Sequence, residues 1–362
     1  MTKTTTTPRY PLYTPTAHNF AAKTPITLNT DTPFTPSDIN SAYSLTSTPN
    51  DGNGITIAVI GAFGADNLKE DFAKFGETFG LPQNNLEIYY ASGDGTTNIS
   101  TGWNLEAHAD TEWVYACASA ARIMCVFGTD ARMESLFTAV NLAVNMGADI
   151  ISMSFGSDEF RSQEQYSTYM KNSGKIFVAS AGDTGGKVLF PSSSDAVVSV
   201  GGTVLHRTKN GNVFARSAWI NGGGGASRFT YIPKWQKNFF GIEQLAGNFR
   251  ATPDIALNAA VNPGYYVYST SDGGLVTVGG TSVSAPIFAG ICARILQYNR
   301  KELENKTIME YLYEKAGITS YSQPQYYFSD ITVGTNGVYN ALRGYDLCTG
   351  LGAPVGDMVI RG

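Results

Sequence analysis

The sequence of 362 residues is poor in charged side chains and in histidine. Charged residues make up 15% of the chain, against roughly 25% in an average soluble domain. The Lys and Arg residues form no basic run and the formal net charge is −5, so nucleic acid is not expected as a partner. Only three histidines are present, and none lies in an obvious catalytic or metal-binding motif.

Long apolar runs and clustered cysteines are also missing. No stretch approaches the roughly 20 apolar residues of a membrane span, so a membrane partner is not expected. The N-terminal segment MTKTTTTPRYPLYTPT lacks the apolar centre of a signal peptide. The four cysteines form no CxxC pair, which gives no support to a zinc site. Cys117, Cys125 and Cys292 lie in apolar segments and are predicted to be buried free thiols.

From residue 55 onward, apolar segments alternate with helical patterns. Buried strands are predicted at ITIAVIGA (55–62), LEIYY (86–90), RIMCVFG (122–128), DIISMSFG (149–156), KIFVASAG (175–182) and VVSVGG (197–202). Helices of this spacing between strands imply right-handed crossovers and a parallel sheet covered by helices on both faces. We expect a single α/β domain over residues 51–362, preceded by an extended arm over residues 1–50.

The segment GGTSVSAP (279–286) has the form of the approach to a nucleophilic serine. Two glycines allow a tight turn, Ser282 follows, and Pro286 can be accommodated in the first turn of a helix predicted over 284–296. In parallel sheets, functional groups gather at the carboxyl ends of strands. SFG (154–156) and AGD (181–183) both lie at such predicted ends.

Carboxylates are the candidate bases for Ser282. In EAHAD (106–110), Glu106 and Asp110 are four residues apart and share one face of a predicted helix, whereas His108 points away from that face. A solvated acidic face is the ordinary alternative. The apolar sequence that follows, WVYACASAARIMCVFG, favours a buried helix instead. Asp183 follows a buried strand, and an ordinary turn aspartate is its alternative reading.

Together and in this order, these segments resemble the sedolisins, the serine-carboxyl peptidases with a subtilisin-like fold. The resemblance covers nearly the whole chain and includes TPSDINSAY (35–43), GNGITIAVIGAFG (52–64), EAHAD (106–110), SMSFG (152–156), SAGDTGG (180–186), GGGGAS (222–227), TPDIA (252–256), GGTSVSAP (279–286) and GYDLCTGLG (344–352).

The resemblance implies a role for each candidate residue. Ser282 is the nucleophile, Glu106 its general base, Asp110 the residue that orients and tunes Glu106, and Asp183 a member of the oxyanion hole. Carboxylate bases suit acidic conditions, and Asp183 must hold a proton to donate to the oxyanion. Activity is therefore expected to be maximal below pH 6. A subtilisin-type triad is not expected, because Gly61, near the end of the first strand, stands where an AVID-type segment of that class would carry Asp, and no HGT-type segment is present.

The resemblance also predicts how a peptide binds. Ser154, Phe155 and Gly156 should pair with the substrate backbone as an added strand, and Gly223 and Gly224 should shape the cleft. Phe155 stands where the family usually has Trp, so an indole N–H near the acids is missing.

A calcium ion near the C-terminus is implied by the resemblance as well. Its ligands are the carboxylates of Asp330 and Asp346 and the carbonyl oxygens of Ile331, Leu342 and Gly344. Calcium binds six to eight oxygens of this kind from flexible loops. By spacing alone, turn aspartates without a metal are favoured.

The expected function is acid-active hydrolysis of peptides or unfolded proteins by a monomer, as an endopeptidase or a tripeptidyl peptidase. Sedolisins are generally made with an N-terminal pro-domain, and a secreted or acidic location follows from the resemblance. Two alternatives stay open: a catalytically silent sedolisin-like binding module, and a serine hydrolase of non-peptide esters or amides.

Overall fold

A computed structural model describes residues 32–45, 51–92, 99–207, 213–318 and 326–362. The predicted N-terminal arm therefore lies largely outside the described residues. Its described part, 32–45, contains a short helix, Pro36–Ala42. Within these ranges, no helix combines the length and the apolar character needed to cross a membrane.

The centre of the fold is an eight-stranded, mostly parallel sheet. Its strands, numbered along the chain, are β1 Thr56–Ala62, β2 Leu86–Tyr90, β3 Arg122–Gly128, β4 Ile150–Met153, β5 Ile176–Ser180, β6 Val197–Arg207, β7 Val213–Ala218 and β8 Ile255–Asn258.

Seven of the strands are parallel and lie in the order β8-β6-β5-β4-β1-β3-β2. The eighth, β7, pairs antiparallel with the second half of β6. The alternation predicted from the sequence is therefore confirmed as an open parallel sheet.

Helices cover both faces of the sheet. They are α1 Pro36–Ala42, α2 Leu68–Phe79, α3 Thr101–Cys117, α4 Met133–Asn145, α5 Glu164–Ser173, α6 Lys234–Lys237, α7 Ile242–Ala246, α8 Thr281–Leu303, α9 Ile308–Ile318 and α10 Gly356–Arg361.

Strand β1 shows how the two faces are divided. Ile57 and Val59 join the core formed with α2, α3 and α8. Ala58 and Ile60 join the core formed with α4 and α5. This division follows from the period of two along a strand. A strand buried on both faces has to be apolar, and the sequence of β1 is apolar from Ile57 onward, where its residues are buried.

Two strands next to the candidate site, β4 and β5, end earlier than the sequence predicted. β4 ends at Met153 and β5 ends at Ser180, whereas strands were expected to reach residues 156 and 182. Their polar continuations, which include Ser154 and Asp183, leave the sheet at its carboxyl edge. Helix α8 in turn begins at Thr281, three residues before its expected start.

Four short antiparallel pairs complete the described structure, formed by Ser157–Asp158 with Leu189–Phe190, Gly225–Tyr231 with Phe249–Thr252, Tyr265–Ser269 with Gly274–Val278, and Phe328–Ser329 with Ala353–Pro354. All four cysteines are buried free thiols, as was expected for three of them.

Candidate active site

Ser282 is the second residue of α8 and lies close to a tight backbone turn. Gly280, just before the helix, has φ +125°, a value that side-chain-bearing residues rarely adopt. A Cβ built at Gly280 would lie 2.6 Å from Asp183 Oδ2 and 3.1 Å from Ser282 Oγ. Both atoms therefore border the same small space, and a side chain at position 280 would fill it.

Glu106 and Asp110 reach Ser282 because α3 lies against α8. Gly290 on α8 permits this close contact, since a Cβ there would come within 2.7 Å of Cys117 Cβ on α3. Glu106 is 7% exposed and hydrogen-bonds Ser282 through its side chain. Asp110, 1% exposed, lies one turn further along the same face. The structure thus brings the predicted nucleophile and both predicted carboxylates together.

Burial changes the acidity of both carboxyls. Burial raises the pKa of Glu106 to about 8, and the neighbouring charge of Asp183 raises it as well. Burial also raises the pKa of Asp110 well above its usual range, with a further contribution from Glu106. Neither carboxyl has a Lys or Arg ion-pair partner among the residues that the structure describes. The site therefore favours neutral acids and resists a second negative charge.

Asp183 lies across the helix start from these two carboxyls. Its Oδ1 accepts from Thr281 N at 2.8 Å and from Thr281 Oγ1 at 2.6 Å. Because Gly182 N donates to Thr281 Oγ1 at 3.0 Å, the Thr281 hydroxyl proton is directed to Asp183. The Oδ1 atom is thus occupied by donors, and the Oδ2 atom borders the space next to Gly280 that Ser282 Oγ also borders.

The sequence reasoning did not identify Thr281 as part of the site. Its hydroxyl fixes the orientation of the Asp183 carboxyl, although the two residues are 98 positions apart. Its place directly before Ser282 at the start of a helix was the available signal, since hydroxyl residues there often bind nearby groups.

The residues predicted to bind substrate backbone lie between β4 and a neighbouring short strand. Ser154 and Phe155 are buried, and a Cβ at Gly156 would contact Leu189 at 3.1 Å. The Ser154 hydroxyl points inward, with Oγ 2.7 Å from Asp110 Oδ1. Phe155, 1% exposed, packs into the apolar core.

The glycine run after residue 221 is held firmly against the segment that carries Asp183. Gly223 N donates to Gly182 O at 2.7 Å, and Gly224 N donates to Lys187 O at 3.0 Å. Both glycines are buried. The run therefore supports the loop 181–187.

Neither described histidine is placed to activate Ser282. His108 is fully buried, with Nδ1 2.8 Å from Asn104 O and Nε2 3.1 Å from Asp71 Oδ2. His206 is partly buried, and its Nε2 contacts Ser217 Oγ at 2.9 Å. His18 lies outside the described residues.

The predicted calcium ligands gather around one loop. Gly344 N donates to Asp330 Oδ2 at 2.9 Å, and Leu342 N donates to Asp346 Oδ2 at 2.8 Å. Burial raises the pKa of Asp346 to about 6.

Within the described ranges, no group of three or more His, Cys, Asp or Glu could hold a metal ion. A site here would depend on two carboxylates completed by backbone oxygens. This donor set of oxygens alone fits calcium in its chemistry.

With this geometry established, comparison with known proteins decides the family. Residues 84–343 match the subtilase family. The chain is 32% identical to kumamolisin from Bacillus sp. strain MN-32, over 91% of this chain and 63% of that protein. It is 26% identical to sedolisin from Pseudomonas sp. strain 101, over 92% of this chain and 61% of that protein.

A solved structure agrees. Pseudomonas sedolisin, a serine-carboxyl proteinase in complex with two molecules of pseudo-iodotyrostatin, has a TM-score of 0.80 and 25% identity, covering 91% of this chain and 98% of that one. The chain belongs to the sedolisin family. The chain has the subtilisin-like single-domain fold that was predicted. This chain spans about three fifths of the length of its curated relatives, kumamolisin and Pseudomonas sedolisin.

Proposed function

We propose that this sedolisin is an acid-active serine-carboxyl peptidase that cleaves peptide bonds through an acyl-enzyme on Ser282. The observation that carries the proposal is the hydrogen bond between the Ser282 hydroxyl and the buried carboxyl of Glu106. A serine hydroxyl is a weak nucleophile until a neighbouring base accepts its proton. In the proposed reaction, Glu106 is that base.

The proposed reaction has two halves. Ser282 Oγ attacks the peptide carbonyl while its proton passes to Glu106, and Glu106 then gives that proton to the leaving amine as the C–N bond breaks. In the second half, water attacks the ester carbonyl, Glu106 takes a proton from the water, and Ser282 Oγ leaves with that proton. Asp183, protonated on Oδ2, donates a hydrogen bond to the oxyanion in both halves.

The protonation state needed for this reaction is specific. Glu106 must be ionised while Asp183 holds its proton. The pKa of about 8 for Glu106 includes repulsion from a charged Asp183. That repulsion is smaller than the effect of burial, and it disappears when Asp183 is neutral. Glu106 then ionises at a somewhat lower pH, and at acid pH only a fraction of the molecules carry the ionised base. The rate should therefore fall at low pH as Glu106 gains a proton, and fall toward neutral pH as Asp183 loses one. We expect the maximum below pH 6.

The proposed substrates are peptides and unfolded proteins bound by an endopeptidase. A peptide added as an extended strand along residues 154–156 would place its carbonyl near Ser282, at the edge where β4 and β5 end. A secreted or acidic location, a monomeric state and a removable pro-domain fit this activity and remain part of the proposal.

A calcium ion is proposed at the loop held by Asp330 and Asp346, with carbonyl oxygens from Ile331, Leu342 and Gly344. The support is a buried carboxylate, Asp346, and a half-buried one, Asp330, which contact one loop. Its role would be structural, because bound calcium would tie this loop to the rest of the C-terminal segment.

The test is incubation of the protein with a denatured protein substrate from pH 3 to pH 7, followed by mass spectrometry of the fragments. Ser282→Ala should give no fragments. Ser284→Ala is the matched control, since its hydroxyl lies in the same helix and donates to Asn258 O. Internal fragments support an endopeptidase, and a ladder of three-residue steps indicates a tripeptidyl peptidase. Cleavage of ester substrates alone, no cleavage at all, or a maximum above pH 7 would contradict the proposal.

A further inference from the structure

The side chain of Ser154 contacts both Asp110, one of the two acids, and the backbone of Ser282, the proposed nucleophile. Ser154 follows β4 and is 4% exposed. Its Oγ lies 2.7 Å from Asp110 Oδ1 and 2.9 Å from the backbone oxygen of Ser282. The backbone of Ser154 was predicted to bind substrate, but its hydroxyl faces the interior. The hydroxyl is therefore not needed for binding the substrate backbone and can act within the interior.

The backbone oxygen of Ser282 needs a donor from outside its helix. In an α-helix this oxygen would accept from the N–H four residues later. That residue is Pro286, which has no N–H. The oxygen is enclosed by the structure, and a buried carbonyl without a donor is unfavourable. The Ser154 hydroxyl supplies the missing donor.

Counting protons then links the direction of the Ser154 hydroxyl to the protonation state of Asp110. The Ser154 hydroxyl has one hydrogen, and the Ser282 oxygen can only accept. If that hydrogen goes to Ser282, the contact with Asp110 Oδ1 needs a hydrogen from Asp110 itself. The chain of donors runs from Asp110 to Ser154 to Ser282. The opposite arrangement leaves the Ser282 oxygen without a donor.

We infer that Ser154 is a positioning residue that holds a proton on Asp110 and thereby leaves the negative charge of the acid pair to Glu106. Two neighbouring carboxyls resist double ionisation, so fixing the proton on one makes the other the base. The kinetic consequence rests on the proposed function. The proton location rests on the contacts alone.

No positively charged side chain lies beside Asp110 in the described structure to neutralise its carboxylate, so the carboxyl is neutral only when it holds a proton. Glu106 faces it from the same helix, Cys125 from β3 and Ser154 from the end of β4. Within the described part of the chain, Asp110 forms no ion pair with Lys or Arg. All of these neighbours are acidic or neutral, and burial, together with the charge of Glu106, raises the pKa of Asp110.

Infrared difference spectroscopy on the whole protein tests the proton location without any need for activity. The carbonyl band lost in Asp110→Asn identifies the protonated Asp110 carboxyl. Wild type should show this band at pH 7. As pH rises, the band should disappear at a lower pH in Ser154→Ala than in wild type, because an acceptor for the Asp110 proton is gone. Ser152→Ala is the matched control on the same strand, since its buried hydroxyl has no hydrogen-bond partner among the described residues. It should leave the band unchanged.

The sign of that shift separates the two arrangements. If Ser154 instead donates to an ionised Asp110, Ser154→Ala would make Asp110 hold its proton to higher pH. That result, or an ionised Asp110 in wild type at pH 7, overturns the inference.

Steady-state kinetics tests the positioning role. Ser154→Ala should lower kcat by about 10- to 100-fold with KM within about 2-fold, because only the alignment of the acid pair is lost. Ser154→Thr keeps the hydroxyl and should restore most of kcat, and Ser152→Ala should match wild type. Wild-type kcat in Ser154→Ala, or an equal loss in Ser152→Ala, counts against the role. If wild type cleaves no peptide, the proposed function fails, and the infrared result still decides the inference.

Pro286→Ala tests the link to the backbone. An alanine restores the N–H that can donate to the Ser282 oxygen. The melting temperature lost in Ser154→Ala should then be partly recovered in the double variant, while the Asp110 band stays altered. No recovery of the melting temperature would show that the Ser282 oxygen does not depend on Ser154.

Discussion

Replacing Glu106 by Gln should remove much of the pH dependence of the protein's stability. Gln has the same shape as Glu and keeps an oxygen that can accept from Ser282, but it does not ionise. In wild type, Glu106 is 7% exposed and surrounded by other acids. Ionisation of this side chain is therefore much less favourable in the folded protein than in the unfolded chain.

The magnitude follows from the shift in acidity. Burial raises the pKa of Glu106 from an ordinary 4.5 to about 8. One pKa unit corresponds to about 1.36 kcal/mol, so the folded state loses on the order of 5 kcal/mol relative to the unfolded state across this window.

The sign is fixed by where the protons are held. Between these two pH values the folded protein keeps the Glu106 proton and the unfolded chain has released it. The free energy of unfolding must then fall as pH rises from about 4 to about 8.

The assay is urea unfolding at pH 4, 6 and 8, in the Ser282→Ala background to prevent self-cleavage. The Ser282 hydrogen bond lowers the pKa of Glu106, so its loss in this background enlarges the expected difference between Glu and Gln. Between pH 4 and pH 8, the free energy of unfolding should fall in both proteins. The fall should be about 3 to 5 kcal/mol smaller with Gln at position 106 than with Glu. At pH 8 the Gln variant should be the more stable of the two. Glu134→Gln is the matched control, since it removes an exposed carboxylate at the start of α4.

Equal pH dependence with Glu or Gln at position 106 would refute this reasoning. It would mean that Glu106 ionises as easily in the folded protein as in the unfolded chain, and that burial does not control the acid pair. Loss of stability at pH 4 in Glu106→Gln would indicate instead that its carboxyl makes a contact that an amide cannot replace.

The remaining predictions concern turnover and metal binding. Ser282→Ala and Glu106→Ala should each abolish peptide cleavage with an unchanged circular dichroism spectrum, because one removes the nucleophile and the other the base. Asp183→Asn keeps a donor beside Ser282, so its rate should fall less steeply toward neutral pH than that of wild type, whereas Asp183→Ala should lower kcat by about 100-fold or more. Full activity in Asp183→Ala would exclude the oxyanion role. EDTA should lower the melting temperature of wild type but not of Asp346→Ala, and an unchanged wild-type melt would contradict a structural calcium.

Acid stability and acid activity would share one physical origin here. The buried carboxyls of Glu106, Asp110 and Glu112 all have raised pKa values, chiefly through burial. A fold that holds neutral acids is favoured by low pH, and the proposed reaction needs at least one of its acids to stay neutral. The same burial therefore supports both properties.

The sequence determined the architecture through patterns that are local. Apolar runs such as the one in β1 lie buried on both faces of the sheet, and helical spacing between the runs sets the crossovers. It also determined which chemical groups were available, since the spacing of Glu106 and Asp110 places both on one helix face. These conclusions depend on neighbours within a few positions, which is why they could be drawn without coordinates.

The tertiary structure decided the contacts between distant segments. Ser154 meets Asp110 across 44 positions and Ser282 across 128, and Thr281 meets Asp183 across 98. No local pattern encodes these distances. The direction of the Ser154 proton depends on a carbonyl left without a donor by Pro286, and the raised pKa of Glu106 depends on the removal of water by packing. Both effects arise only when the folded chain encloses these groups, because hydrogen-bond partners and solvent exposure are properties of the packed structure.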